Sequence, residues 1–306
     1  MSITVPFTFA PGTVIQSAQV NADFNALASN ARTILTAPTT FYVSPAGLDI
    51  VSGLDPSHPA ATANYIIKLL RSAYDLNGQP VTIQFANGVY NQDIIVSGPL
   101  LGQGDPSHLI IQGNVSSPAN VTINGTNHCF EINFGGMATI QGFTLQATGA
   151  NGDGVLAWSG GIAQVNGIIW GACPGYQCAS SSGATMIYYG QHTITGNSQA
   201  HIAATENSIL YVANLGVEAT ALPTSVALTG TPTFSAAFAQ SHAGSFVNIK
   251  SPTFSGTTTS KRIVASYNGT LVSDVVLPGA IMTNADCPAG GRYTGPEGNF
   301  PTVFMP

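Results

Sequence analysis

Few side chains in this sequence are able to do chemistry, and the acids are the first to weigh. Glycoside hydrolysis needs two carboxyl groups across the scissile bond, about 5 Å apart for retention or about 6.5–9.5 Å for inversion. Between Leu109 and Asp274 the acids are Glu131, Asp153, Glu206, Glu218 and Asp274. Glu206, Asp153 and Glu218 form the candidate catalytic set. Glu206 and Asp153 meet only if the chain winds back on itself with a repeat of about half their separation, and His201 and His242 would then lie beside them. The plainer reading is also open. Asp153 sits in Asn151-Gly152-Asp153-Gly154, an ordinary turn composition, and Glu206 before Asn207 reads equally as a solvated corner.

Aromatics give a second signal, since sugars dock through apolar ring faces and hydroxyl hydrogen bonds. Tyr188, Tyr189, Trp158, Trp170 and Tyr211 are the candidate carbohydrate-binding residues, in a stretch with little charge. The competing reading is that they fill an interior or a subunit interface. Tyr188 and Tyr189 are adjacent, so in a strand one of them faces outward.

Metal and cofactor chemistry find no support in the sequence. No His-Glu-x-x-His or phosphate-cradling loop occurs. His192 and His201 alternate with apolar residues as ordinary strand members do. Cys129, Cys173, Cys178 and Cys287 lack four-ligand zinc spacing, while Cys173 and Cys178 are close enough to close a short disulfide loop if oxidised. No cofactor is expected. The stretch 109–249 contains no Lys or Arg, which argues against a lyase that needs a basic residue. Seven Lys and Arg against 13 Asp and Glu, with a formal net charge of -6, exclude a general nucleic-acid binder.

The elements that must position these residues recur. Taking Ile140, Val165, Tyr189, Ala213 and Ile249 as equivalent gives intervals of nearly constant length with one long step. A second track through Thr205, His242 and Tyr267 has the same long step, near 219–237. Short Ile/Val/Phe/Tyr/Thr strands broken by glycine, without a 3.6-residue pattern, point to an all-β right-handed parallel β-helix; an antiparallel sandwich is the alternative. Asn114, Asn120, Asn124, Asn127 and Asn133 are candidates for stacked amides. Residues 1–38 read as an extended and helical attachment or oligomerisation segment. Its helix runs from Ser17 to about Leu35 with an apolar stripe of Val20, Phe24, Leu27, Ala31 and Ile34. Residues 39–277 form the solenoid, with a capping helix near 62–74 that uses Thr62 or Asn64 as N-cap. Residues 278–306, rich in Pro and Gly, read as an irregular tail over the last coil. No signal peptide or membrane span is evident.

Phe41-Tyr42-Val43-Ser44, Gly47-Leu48-Asp49, Gly53-Leu54-Asp55, Val81-Thr82-Ile83-Gln84-Phe85 and Asn87-Gly88-Val89-Tyr90 resemble the start of pectin-lyase-like right-handed β-helices of bacteriophage and prophage tail spikes. Gly12-Thr13-Val14-Ile15 through Val20-Asn21-Ala22-Asp23-Phe24-Asn25-Ala26-Leu27 is similar to N-terminal segments of phage tail fibres. The resemblance implies a homotrimer that attaches to other virion tail proteins and recognises bacterial surface polysaccharide. Some such proteins also cleave the polysaccharide, and others are purely structural. It implies a place in the virion tail or outside the cell after lysis. The polygalacturonase signature of that fold group is missing, since Ser241-His242-Ala243-Gly244 only partly matches its Gly-His-Gly.

Overall fold

The computed structural model of the chain describes residues 16–212, 224–280, 286–288, 290–296 and 298–300. The chain forms a right-handed parallel β-helix. Each coil gives one strand to each of three sheets, as in Met137–Gln141 (sheet 1), Thr144–Ala147 (sheet 2) and Asp153–Ala157 (sheet 3). Sheets 2 and 3 have seven strands each and sheet 1 has eleven, so seven complete coils stack between the ends. All pairings between successive coils are parallel, which excludes the antiparallel sandwich.

Alternation decides which side chains face in. In sheet 1 the column Phe41, Ile83, Ile111, Ile140, Val165, Tyr188, Val212 and Ile249 is in register from coil to coil and entirely buried. The sequence track is therefore off by one at Tyr189 and Ala213, since Val165 pairs with Tyr188 and Tyr188 with Val212. A one-residue slip turns a strand inside out. The observed register puts the Tyr188 ring inside, 3.9 Å from His192 and stacked on Trp170. The long step is also earlier than 219–237. Ser225–Leu228 and Phe234–His242 are strands of sheets 2 and 3, and the extra residues enter between Val212 and Ser225.

At the N-terminal end, helix Ala63–Ala73 covers the open coil with Ala63, Ile66, Ile67 and Leu70. Its N-cap is Thr62, whose Oγ1 accepts from Tyr65 N at 3.2 Å and donates to Asp49 at 2.7 Å. The first helix is shorter than its apolar stripe suggests, spanning Ser17–Asn30. Thr33 and Ile34 instead pair with Tyr74 and Asp75, held by Arg32 Nη1 donating to Arg71 O and Tyr74 O at 2.8 and 3.1 Å. Phe24 and Ile34 are left 64% and 61% exposed. Beyond 278, Arg292–Gly295 adds a parallel strand to sheet 1 and Gly298–Phe300 an antiparallel one.

Amide ladders stiffen the outer faces. Gln112 Nε2 donates to Gln84 at 2.6 Å and Gln141 Nε2 to Gln112 at 2.5 Å. Asn124 bridges Asn91 and Gln146, and Asn114 donates to Asn87. Of the other asparagines picked out by sequence, Asn127 binds Asp93 and Asn133 binds Glu131.

Candidate functional site

The corner between sheet 3 and sheet 1 is built from stacked two-residue turns. In Asn133-Phe134-Gly135-Gly136, Trp158-Ser159-Gly160-Gly161, Ser181-Ser182-Gly183-Ala184, His242-Ala243-Gly244-Ser245 and Ser266-Tyr267-Asn268-Gly269, the fourth N–H donates to the first carbonyl at 2.8–3.3 Å. Both central residues have positive φ in each of them, and so do Glu206 and Asn207. These are type I′ turns, the geometry that favours Gly or Asn at both centres. Gly135, Gly160, Gly183 and Gly244, and Asn207 and Asn268, satisfy that preference at the second position.

The first position does not follow it. Its column reads Phe134, Ser159, Ser182, Glu206, Ala243, Tyr267, at φ values of 49–56°. A bulky side chain in the left-handed region is uncommon and strained. Phe134 and Tyr267 are nonetheless 58% and 61% exposed, so neither is held there by burial. Apart from Phe24 they are the large aromatics exposed among the described residues. They stand five coils apart, about 24 Å at the ordinary strand spacing.

Each ring has a second ring behind it on the outer face of sheet 3. Trp158 lies 5.0 Å from Phe134, and His242 lies 4.7 Å from Tyr267. Glu131 fixes the first pair by accepting from Trp158 Nε1 at 2.7 Å and from Asn133 Nδ2 at 2.6 Å. Ser266 Oγ fixes the second pair, 2.8 Å from His242 Nδ1. Buried Asn133 keeps an Oδ1 without a partner, and so does Gln240 Oε1 on the same sheet.

Glu206 lies between the aromatic ends. Its Oε2 accepts from the hydroxyls of Ser182 and Ser181. These bonds, Ser182 first, with the nearby His242 ring adding a smaller effect, hold its carboxyl below the usual range. It is an exposed, ionised acceptor at working pH, and this does not suit it to be a general acid, which needs a raised pKa.

Two members of the predicted catalytic set, Asp153 and Glu206, do not meet. Asp153 begins its sheet-3 strand at the opposite corner, and Glu206 follows the end of a strand two coils on; the separation is about 20 Å, beyond either hydrolytic spacing. Asp153 is buried, accepts from Tyr176 N at 2.5 Å and lies 3.1 Å from His128 Nδ1. The Asp153 hydrogen bond raises the His128 pKa against the opposing effect of burial. Glu218 lies outside the described residues.

The aromatic set divides. Trp170 and Tyr188 are fully enclosed, so neither reaches a ligand. They belong to an interior cluster in which His201 lies 3.1 Å from Tyr188 Oη and 2.8 Å from Gln177 Oε1, while Trp170 Nε1 donates to His192 at 3.3 Å. Tyr189 and Tyr211 are half-buried on the outer face of sheet 1. Of the five, Trp158 alone stands at the corner ridge. His201 is likewise interior, whereas His242 does accompany Glu206.

All four cysteines are free. Cys173 and Cys178 are buried with their thiol pKa values pushed up by desolvation, which makes them inert. Among the described residues, no group of His, Cys, Asp and Glu is arranged to hold a metal ion, and no helix is long and apolar enough to cross a membrane.

Sequence reasoning passed over Phe134 and Tyr267. The usable signal was a recurring x-Gly or x-Asn followed by Gly, Ala or Ser ahead of successive sheet-1 strands, with an aromatic at x in Phe134-Gly135-Gly136 and Tyr267-Asn268-Gly269. No protein-family model, curated protein or solved structure matches the chain.

Proposed function

We propose that this chain binds a neutral bacterial surface glycan along the corner between sheets 3 and 1, as a solenoid of the phage tail-spike or tail-fibre kind. The observation that carries this reading is the pair Phe134 and Tyr267, two exposed aromatics held in strained turn positions where glycine serves the fold better. Rings at the two ends supply apolar platforms for sugar faces. The hydroxyls of Ser159, Ser181 and Ser182 and the Glu206 carboxylate between them supply partners for sugar hydroxyls. Stacked coils repeat at a spacing close to the rise of one sugar along an extended chain.

Charge sets the glycan class. With no Lys or Arg from 109 to 249 and with Glu131 and Glu206 on the ridge, an acidic polysaccharide meets like charge along the middle of the ridge, the cations Arg71 and Arg292 standing only at its two ends. Binding is a better assignment than hydrolysis, because among the described residues Glu206 has no second carboxylate at working distance. The same reading gives helix Ser17–Asn30, with its exposed Phe24, to contacts with other virion proteins or with the other chains of a trimer.

The test is retention of neutral and acidic bacterial polysaccharides by the full chain and by its Phe134→Ala/Tyr267→Ala variant, with product size followed. Retention of a neutral glycan that the variant loses, without shortening, is the expected result. Retention confined to acidic glycans, or unaffected by the double substitution, overturns it.

A further inference from the structure

The outer face of sheet 1 carries side chains of a kind that a solvated sheet does not need. Its outward positions hold Ile162, Ile187, Tyr189, Ile209, Tyr211 and Phe246 on four neighbouring strands, each half-buried by its own sheet. Tyr211 and Phe246 meet edge to face at 6.4 Å. Sheet 2 shows the ordinary alternative, with Thr122, Thr144 and Thr193 outward. The chain itself covers the beginning of the sheet-1 face. There Thr139 Oγ1 donates to Pro106 O at 3.1 Å and Thr139 is left 5% exposed, while Gln103 Nε2 donates to Met137 O at 2.8 Å. The next members of the Thr139 column, Gln164, Ile187 and Tyr211, remain partly open.

The chemistry of the face suits a copy of itself. Among the described residues, no charged side chain stands on it from Ile162 to Ile249, so nothing there selects a partner of opposite charge. Its polar members include the amides Gln164, Asn166 and Asn248, and an amide both donates and accepts. Gln164 Oε1 accepts from Thr139 Oγ1 at 3.3 Å, which leaves its NH₂ as a donor. Apolar groups interspersed with neutral amides are complementary to the same surface turned over, the requirement of a two-fold contact. The area is also sufficient. Six successive strands, from Ile162–Asn166 to Arg292–Gly295, span about 29 Å across the sheet and about 17 Å along it. Two such faces together cover about 1,000 Å², the least that a specific pair needs.

We propose that two copies of this chain pack face to face through sheet 1, with their sheets about 10 Å apart. A flat face of this kind is covered in full by one other flat face, so the contact joins copies in pairs. It is separate from helix Ser17–Asn30. The aromatic ridge borders the contact, since each of its turns leads directly into a sheet-1 strand, but Phe134 and Tyr267 are not part of the face. The inference therefore does not rest on glycan binding.

Light-scattering mass of the full chain after size exclusion tests it, at concentrations up to about 100 μM because an interface of this size is at the weak end. The parent mass falls by half in Ile187→Glu/Phe246→Glu, which sets like charges on both sides of the contact. Thermal melts check that this variant folds. If it does not, Ile187→Thr/Phe246→Thr, with the residue that sheet 2 carries outward and that strands favour, gives the same halving. Phe134→Ala/Tyr267→Ala keeps the parent mass. A parent that runs at the 31.4 kDa of one chain throughout the range overturns the proposal. So does a parent mass retained by a folded face variant, the result expected if helix Ser17–Asn30 alone joins the copies. Halving in the ridge variant overturns it as well, by moving the contact to the corner. Glycan retention is a separate measurement on the same proteins, so either reading fails without the other.

Discussion

Two groups of aromatic and histidine side chains stand on either side of the solenoid wall, one inside it and one along its corner. Inside, Trp170, Tyr188, His192, His201 and Phe238 are fully or almost fully buried and their polar atoms are answered: Trp170 Nε1 by His192, His201 by Gln177 and Tyr188 Oη, and His192 Nε2 by Tyr189 O at 2.7 Å. Outside, Phe134, Trp158, His242 and Tyr267 also pair ring to ring, but two of them remain exposed on strained backbone. Burial holds the inner group in place, whereas it does not hold Phe134 and Tyr267. Residue type is therefore no guide to function here; position relative to a strand or a turn is.

Substitution separates the two groups most sharply at Trp170. Trp170→Ala removes a buried ring and leaves His192 and Tyr188 with a void, so stability falls by about 3–5 kcal/mol. The check is urea denaturation followed by circular dichroism. A loss no larger than that of a surface substitution breaks the contrast between inside and outside.

Acid gives the next largest effect. Burial lowers the His192 pKa to about 3 from 6.5, against its hydrogen bonds with Tyr189 and Ile168, and pushes His201 well below its ordinary value. The unfolded chain thus takes up protons that the folded chain refuses. Stability is full above the unfolded pKa and is lost as pH falls toward the folded one, by about 1.4 kcal/mol per pH unit for each histidine. The exposed carboxylates with lowered pKa values, Asp55, Asp105 and Glu206, act in the same direction only nearer their own range. His128, whose pKa is raised by Asp153, acts above 6.5, where its contribution is lost as pH rises. Denaturation midpoints between about pH 6.5 and 5 therefore report the buried pair, and His192→Gln should flatten the slope in that window.

The fold was legible because period, glycine corners and alternation are local and repeated. The capping helix was legible from Thr62 and the apolar face of Ile66, Ile67 and Leu70. Register was harder. Tyr188 and Tyr189 are chemically interchangeable in sequence, and what selects Tyr188 for the interior is the Trp170 ring one coil before it, a contact between residues far apart in the chain. The candidate site was hardest for the same reason. Glu206 and Asp153 looked able to meet from their separation along the chain, but that distance gives only the height along the solenoid and not the edge of the sheet. Phe134 and Tyr267 become a pair only when the turns are stacked.

At the ridge the expected order reverses, and binding moves more than stability. Phe134→Gly removes an exposed ring and puts the favoured residue into the left-handed position. The relief of about 1 kcal/mol of backbone strain is offset by a similar entropic cost of glycine in the unfolded chain. The melting temperature should stay within a few degrees of the parent, while affinity for a retained neutral glycan drops about three- to tenfold, the worth of one aromatic platform. A large loss of stability would make Phe134 a structural residue and remove the asymmetry between the two groups.

The smallest effect is expected at Glu206. Glu206→Gln keeps an oxygen that accepts from Ser182 and Ser181 and removes only an exposed, solvent-screened charge, so the melt should not change measurably. If the carboxylate is an acceptor for sugar hydroxyls, neutral-glycan binding weakens modestly and acidic-glycan binding does not. If its charge excludes acidic chains, the same substitution admits them. Retention of an acidic polysaccharide by Glu206→Gln, measured beside retention of the neutral one, distinguishes these two roles. A hydrolytic role predicts neither result, since the amide would then abolish shortening while leaving retention intact.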